Sequence, residues 1–231
     1  MTIIAYRLQE IIAAIQRAQE ASPYQQQVKL VAVSKAQPAE AIRAAYEAGQ
    51  KLFGENYLQE ALEKQALLSD LNIEWHFIGP IQSNKTQPIS QNFSWVHSVD
   101  RLKIAQRLND ARPEHLPPLQ ICLQVNVSQE TSKSGAEPDE LAALASQIQH
   151  MHKLKLRGLM AIPAPSNNET EQMTQFRQVR QCYDALLAQG FELDTLSIGM
   201  SEDYQAAISQ GATFVRIGSA LFGARPTKTS T

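Results

Sequence analysis

Apolar positions along this chain follow two alternating rhythms. In the opening segment Ile4, Leu8, Ile11, Ile12 and Ile15 recur at helical spacing, so residues 2–20 are expected to form an amphipathic first helix. After the Ser22-Pro23 break, Val28-Lys29-Leu30-Val31-Ala32-Val33-Ser34 is β-branched and apolar on both faces, the pattern of a strand buried on both sides. Pro38 then stands where the first turn of a helix tolerates it, and Gly49 follows Ala41, Ile42, Ala45 and Tyr46 as a stop. The alternation continues to the end of the chain. Further strands are expected at 51–53, 74–78, 95–98, 119–127, 155–162, 195–198 and 213–217. Helices are expected between them: 55–68, 83–91, one from Asp100, one from Pro138, one through Met173, Phe176, Val179, Tyr183 and Leu186, and one between Glu202 and Gly211.

Strict alternation of strand and helix implies right-handed crossovers and a parallel sheet. With the first strand there are eight such units, which favours a closed (β/α)8 TIM barrel in the α/β class, with the first helix as an addition. No G-x-G-x-x-G follows the first strand, which weakens an open dinucleotide-binding sheet. Residues 1–231 are read as one domain, with a flexible tail at about 226–231.

Composition narrows the function classes. The formal net charge is -2, and no Lys/Arg cluster exceeds two residues, so a nucleic-acid partner is not expected. The apolar runs are strand-sized, so no membrane span is expected. Arg7, Glu10, Arg17 and Glu20 interrupt the first twenty residues, unlike a signal peptide, and a cytoplasmic location follows. Cys122 and Cys182 lack a C-x-x-C partner and read as buried thiols in a reducing compartment.

In a barrel of this kind, function gathers at the C-terminal ends of the strands. Lys35 ends the first strand on the side of Val31 and Val33, so its amine is expected to enter the top of the barrel. Against apolar walls an ammonium loses charge stabilisation, and the neutral amine can attack an aldehyde. The plainer alternative is a solvated loop lysine. The loops Gly199-Met200-Ser201 and Gly218-Ser219-Ala220 follow the seventh and eighth strands, where barrels often cradle phosphate on backbone N–H groups. Alternatively, Ser201 caps a helix ahead of Glu202 and Asp203, and Gly218 and Gly223 only turn the chain tightly.

Other strand ends offer Asn56, Gly79-Pro80, Asn126, Met160 and Arg216. Lys85 and Lys133, after the third and fifth strands, are further cations that could meet an anion or simply be solvated. His76, His97, His115, His150 and His152 show no metal-ligand spacing, and no G-x-S-x-G elbow is present. Trp75 and Trp95 lie in strands and read as core.

Several of these segments also carry a family likeness. Val31-Ala32-Val33-Ser34-Lys35, Phe53-Gly54-Glu55-Asn56-Tyr57, and the run from His76 through Gly79-Pro80 to Lys85 are part of it. So are Gly158-Leu159-Met160-Ala161-Ile162, Ser197-Ile198-Gly199-Met200-Ser201-Glu202-Asp203, and the run Val215-Arg216-Ile217-Gly218-Ser219 to Gly223. Together, and in this order from Val28 to Arg225, they resemble the pyridoxal phosphate homeostasis protein family (the YggS/PROSC family). The resemblance implies a fold like the barrel domain of alanine racemase, the fold-type III pyridoxal phosphate proteins. It implies Lys35 as the Schiff-base lysine. It further implies phosphate contacts from Ser201, Gly218 and Ser219 with the Met200 backbone, Arg216 facing the pyridine nitrogen, and Asn56 near the ring.

Arg216 bears on activity. Pyridoxal phosphate is the better electron sink when its ring nitrogen is protonated, and a guanidinium can only donate to that nitrogen. Without the resemblance, Arg216 reads as a structural arginine in a buried ion pair. The expected function is therefore a protein that holds pyridoxal 5′-phosphate (PLP) and takes part in its homeostasis and supply to apo-enzymes, as a monomer and without substantial catalysis. One alternative is a fold-type III amino-acid racemase, whose second domain has no room in the eight residues after Gly223. Another is a class I aldolase acting on a phosphosugar, which also needs a barrel lysine and a phosphate cradle.

Overall fold

The computed structural model describes residues 2–128, 134–166 and 168–223. Eight parallel strands follow one another around a closed barrel, and the last pairs back onto the first. They are β1 (Lys29–Val33), β2 (Leu52–Glu55), β3 (Glu74–Phe77), β4 (Trp95–Val99), β5 (Leu119–Gln124), β6 (Leu154–Met160), β7 (Thr195–Ser197) and β8 (Phe214–Ile217). The helices are α1 (Ile3–Glu20), α2 (Ala39–Glu47), α3 (Leu58–Leu67), α4 (Thr86–Asn92), α5 (Leu102–Ala111), α6 (Leu141–Ile148), α7 (Glu169–Ala188), α8 (Tyr204–Ser209) and α9 (Ser219–Phe222). This is the expected (β/α)8 barrel with an added first helix.

The strands are apolar on both sides because both sides are buried. On β1, Leu30 and Ala32 join the large core between strands and helices, whereas Val31 joins Trp95, Cys122, Met160 and Phe214 inside the barrel. Helix α1 starts on a Thr2 cap, whose hydroxyl accepts from the Ala5 N–H, and packs Leu8, Ile11 and Ile15 inward. It lies against α2, α8 and α9, the two short helices flanking β8 among them. Ile12, expected on the buried face, is 39% exposed, since the inward stripe of α1 is narrower than the apolar pattern.

Several boundaries differ from expectation, for local reasons. Pro38 is the extended residue just before α2 and not its first turn, with ψ at 159°. Gly49 ends α2 at φ +110°, a backbone that side-chain-bearing residues rarely adopt. Helix α3 starts three residues later than expected because Glu55 stays in the β2 ladder, opposite Phe77. Strands β5 and β6 stop short of Val127 and Ile162 as the chain turns out of the barrel. Cys122 is buried, but Cys182 is only partly so, on α7. Both tryptophans are buried core, Trp75 outside the barrel wall and Trp95 inside it. Lys133 and the expected tail at 226–231 lie outside the described residues. Among the described residues no helix is long and apolar enough to cross a membrane.

Candidate functional site

At the C-terminal mouth of the barrel is a cavity of about 440 Å³, within the usual range for a small-molecule site. Lys35, Asn56, Met200, Ser201, Arg216, Gly218 and Ser219 all line it, although they come from the ends of four different strands. Lys35 is half-buried and lies in the turn just after β1, lining the same cavity as Val33 at the strand's end. At the end of the neighbouring strand β2 sits Asn56, whose Oδ1 is buried and has no hydrogen-bond partner. A buried acceptor without a donor is costly, and a ligand can relieve that cost.

Two glycines shape the β7–β8 side. Gly199 has φ +93°, and a Cβ there would come within 2.6 Å of the Ala207 Cβ, so only glycine lets the chain turn from β7 towards α8. Gly218 lies against the end of β1, where a Cβ would sit 3.1 Å from the Val33 carbonyl oxygen. This close approach brings Ser219 towards the lysine-bearing strand. The Ser219 and Ser201 hydroxyls are 3.3 Å apart, paired across the two loops. Ser201 is not the cap of α8; that position belongs to Asp203. The Met200 N–H donates to the Asp203 carboxylate at 2.6 Å, so this N–H already has an anion. Burial raises the Asp203 carboxyl above its usual range, opposed by that N–H and by the Arg216 charge.

Arg216 is 4% exposed. It donates to the Ser197 carbonyl (2.6 Å), the Ser197 Oγ (2.8 Å) and the Ala161 carbonyl (2.9 Å). Among the described residues no carboxylate makes an ion pair with it, so the buried ion pair considered from the sequence is not its support. Burial pushes its pKa down to about 10, which leaves it charged at neutral pH.

Behind Arg216 a hydrogen-bonded chain runs down the barrel axis. The Ser197 Oγ meets His97 Nδ1 at 2.8 Å, His97 Nε2 meets His76 Nδ1 at 2.8 Å, and His76 Nε2 meets the Glu74 carboxylate at 3.0 Å. Since Arg216 can only donate, one direction satisfies every atom: Ser197 donates to His97, His97 to His76, and His76 to Glu74. Both imidazoles are then neutral with the proton on Nε2. Burial supports this, lowering the pKa of His76 and pushing that of His97 well down, with the neighbouring His76 and Arg216 further disfavouring a second proton on His97. His76 stacks on Trp95, and the Phe214 ring meets both edge-on, so the chain is packed in aromatic surface.

Other expected candidates lie elsewhere. Asn126 faces an outer groove between α6 and α7, which Cys182 also lines. Met160 is buried inside the barrel, below the cavity. Gly79 packs against the Asn56 backbone and accepts from the Ser98 hydroxyl, so it supports the site from behind. Lys85 is exposed and does not line the cavity. The sequence reading did not find Ser197, His97 and His76 as partners of Arg216, nor Gln37, Ser166 and Gln172 as cavity walls. Two-residue alternation places His76 and His97 on inner faces, but nothing in the order of residues pairs them with β7 and β8.

Comparison with known proteins identifies the family and the fold. Residues 6–226 match the family model described as alanine racemase, N-terminal domain. The pyridoxal phosphate homeostasis protein of Pseudomonas aeruginosa is 57% identical over 226 residues, covering 97% of each chain. PipY of Synechococcus elongatus superposes with a TM-score of 0.86 at 39% identity without PLP, covering 95% of this chain and 100% of that one. Its form with PLP bound gives 0.84 at 38% identity. Alanine racemase of Corynebacterium glutamicum shares the fold, with a TM-score of 0.68 at 16% identity over 99% of this chain and 62% of that one. The chain belongs to the pyridoxal phosphate homeostasis protein family, on the barrel of the alanine racemase N-terminal domain.

Proposed function

We propose that this protein binds pyridoxal 5′-phosphate at the barrel mouth, holds it as a Schiff base on Lys35, and serves its homeostasis and supply in the cytoplasm. The observation that carries the reading is the convergence of an amine, a charged guanidinium and two paired hydroxyls on one cavity. The residues fit the cofactor chemically. Lys35 would hold the cofactor through its aldehyde, as the one amine lining the cavity among the described residues. Ser201, Ser219 and the Gly218 backbone suit the phosphate, and the unpartnered Asn56 Oδ1 suits a donor near the ring. With the Met200 N–H engaged by Asp203, Met200 contributes as cavity wall.

When bound, the cofactor supplies an electron-withdrawing ring, at its strongest with the ring nitrogen protonated. Arg216 opposes that state. Three of its five N–H groups are held by Ser197 and Ala161, and the cavity-facing remainder can only donate. A guanidinium there keeps the ring nitrogen unprotonated and leaves the cofactor a weak sink. This favours keeping and releasing the cofactor, with apo-enzymes as recipients and the protein as a monomer, over turning over amino acids.

The test is to mix the purified protein with PLP and fix the adduct with borohydride. Lys35→Ala is expected to abolish the yellow absorbance and the fixed adduct. A fixed adduct at full yield in Lys35→Ala moves the attachment to another lysine. In deuterated water, α-proton exchange of L- and D-alanine is expected to stay near the rate of free PLP, while cofactor passes to an apo-enzyme. Rapid exchange without transfer favours a racemase instead.

A further inference from the structure

Lys35 lies in a tight turn, with the Gln37 N–H donating to the Ser34 carbonyl at 3.0 Å. Both neighbours of Lys35 are gripped by one buried ionic cluster. On one side, the Ser34 Oγ donates to the Glu55 carboxylate at 2.5 Å, and the Ser34 carbonyl accepts from the Lys64 ammonium at 2.7 Å. On the other, the Ala36 N–H donates to the Glu60 carboxylate at 2.6 Å. Lys64 joins the two carboxylates, donating to Glu55 at 2.8 Å and also to Glu60. Its three hydrogens therefore all have acceptors, which makes it a brace and leaves it unsuited to attack an aldehyde.

Two features separate this cluster from an ordinary helix-surface ion pair. The first is burial: the Lys64 and Glu55 side chains are 7% and 0% exposed, and the Glu55 Oε2 has no partner at all. Desolvating such a pair costs stability that apolar residues of the same size would not cost. The second is backbone strain. Ala36 sits at φ +57°, a conformation unfavourable for a residue with a Cβ, and its N–H is the group that Glu60 holds. Costly burial and a strained residue coincide at the turn that carries the candidate nucleophile.

We propose that Glu55, Glu60 and Lys64 are positioning residues, a clamp that fixes the backbone on both sides of Lys35 and thereby aims its amine into the cavity. The inference rests on the reading of Lys35 as the attachment point. The clamp acts on covalent capture, and the phosphate contacts and Arg216, which come from β7 and β8, lie outside it; Asn56 adjoins Glu55, which is why the test changes Glu60 instead.

The experiment separates capture from binding. Capture is the rate of the borohydride-fixed adduct at subsaturating PLP. Binding is the affinity for pyridoxine 5′-phosphate, which has the ring and phosphate but no aldehyde. Glu60 is 30% exposed, so Glu60→Ala is a variant that can be expected to fold. Capture in Glu60→Ala is expected to slow roughly 10- to 100-fold, the scale set by small misplacements of a reacting group. Affinity for pyridoxine 5′-phosphate should stay within about twofold, and Glu60→Gln, which keeps an acceptor for the Ala36 N–H, should recover most of the rate. Lys64→Met should follow Glu60→Ala if it folds. Capture at the wild-type rate in Glu60→Ala overturns the clamp, as does an equal loss of capture and pyridoxine 5′-phosphate affinity. No adduct in the wild type, or a full adduct in Lys35→Ala, overturns the reading of Lys35 itself and the clamp with it.

Discussion

Lys64 and Arg216 are both buried cations at the mouth of the barrel, 5% and 4% exposed, yet they are held by opposite means. Lys64, on the β1–β2 side, is caged by the Glu55 and Glu60 carboxylates and a carbonyl. Arg216, on β8, is held by two carbonyls and a hydroxyl, backed by a chain of neutral imidazoles whose charged end, Glu74, lies at the far end of the barrel. A cation whose donors are all spent on two carboxylates and a carbonyl has nothing left for a ligand and serves the backbone around it. A cation held by neutral acceptors keeps its charge and its free donors for the cavity. The contrast divides the mouth into a side that braces the Lys35 turn and a side that keeps a charge beside the cavity.

The largest effect should come from breaking the cage. Lys64→Met leaves Glu55 buried without its counter-charge and is expected to cost about 3–5 kcal/mol in urea unfolding of the cofactor-free protein. Adding Glu55→Gln should recover a substantial part, since the stranded charge is then gone. A Lys64→Met variant as stable as the wild type contradicts the idea that the cage is a paired buried charge.

On the opposite side the loss should appear in ligand affinity. Ser201→Ala and Ser219→Ala are each expected to weaken PLP binding by about 1–3 kcal/mol, as for a hydrogen bond to a charged group. Calorimetry with pyridoxal, which lacks the phosphate, should show little difference between these variants and the wild type. Equal losses for both ligands remove the phosphate role.

The smallest effect concerns the neutral chain. The His97 pKa is held well below its usual value of 6.5, by burial first and then by the neighbouring His76 and Arg216, which disfavour a second proton there. The unfolded chain therefore gains a proton at His97 below pH 6.5 while the folded protein does not. The stability that neutral His97 gives is full above that pH and is lost as pH falls towards the folded pKa. One unit below it, the loss is about 1.4 kcal/mol. His97→Gln should flatten the acid slope of stability by that amount, and ¹⁵N spectra should show both buried imidazoles protonated on Nε2 at neutral pH. An unchanged acid slope in His97→Gln means that the chain carries a proton after all.

The alternation of apolar segments was enough to give eight strands and a barrel, because a strand walled on both sides must be apolar on both sides. Lys35 and the two glycine loops were legible too, since they stand at strand ends where a barrel opens. Asn126 and Met160 stood at strand ends as well and proved to face an outer groove and the barrel interior. At such ends a shift of one residue changes the face a side chain takes, and periodicity does not fix a boundary that closely.

By itself the sequence determined the class of fold and the residues with the right chemistry for an aldehyde and a phosphate, because those are properties of local period and side-chain type. Only the tertiary structure decided how each is held. Glu60 and Lys64 look like an ordinary pair four residues apart on a helix, and His76 and His97 look like two strand histidines twenty-one residues apart. The closed barrel brings the first pair beneath the lysine turn and lines up the second behind Arg216. Which acceptors a buried cation finds depends on strands distant in sequence, and a linear pattern carries no such distances.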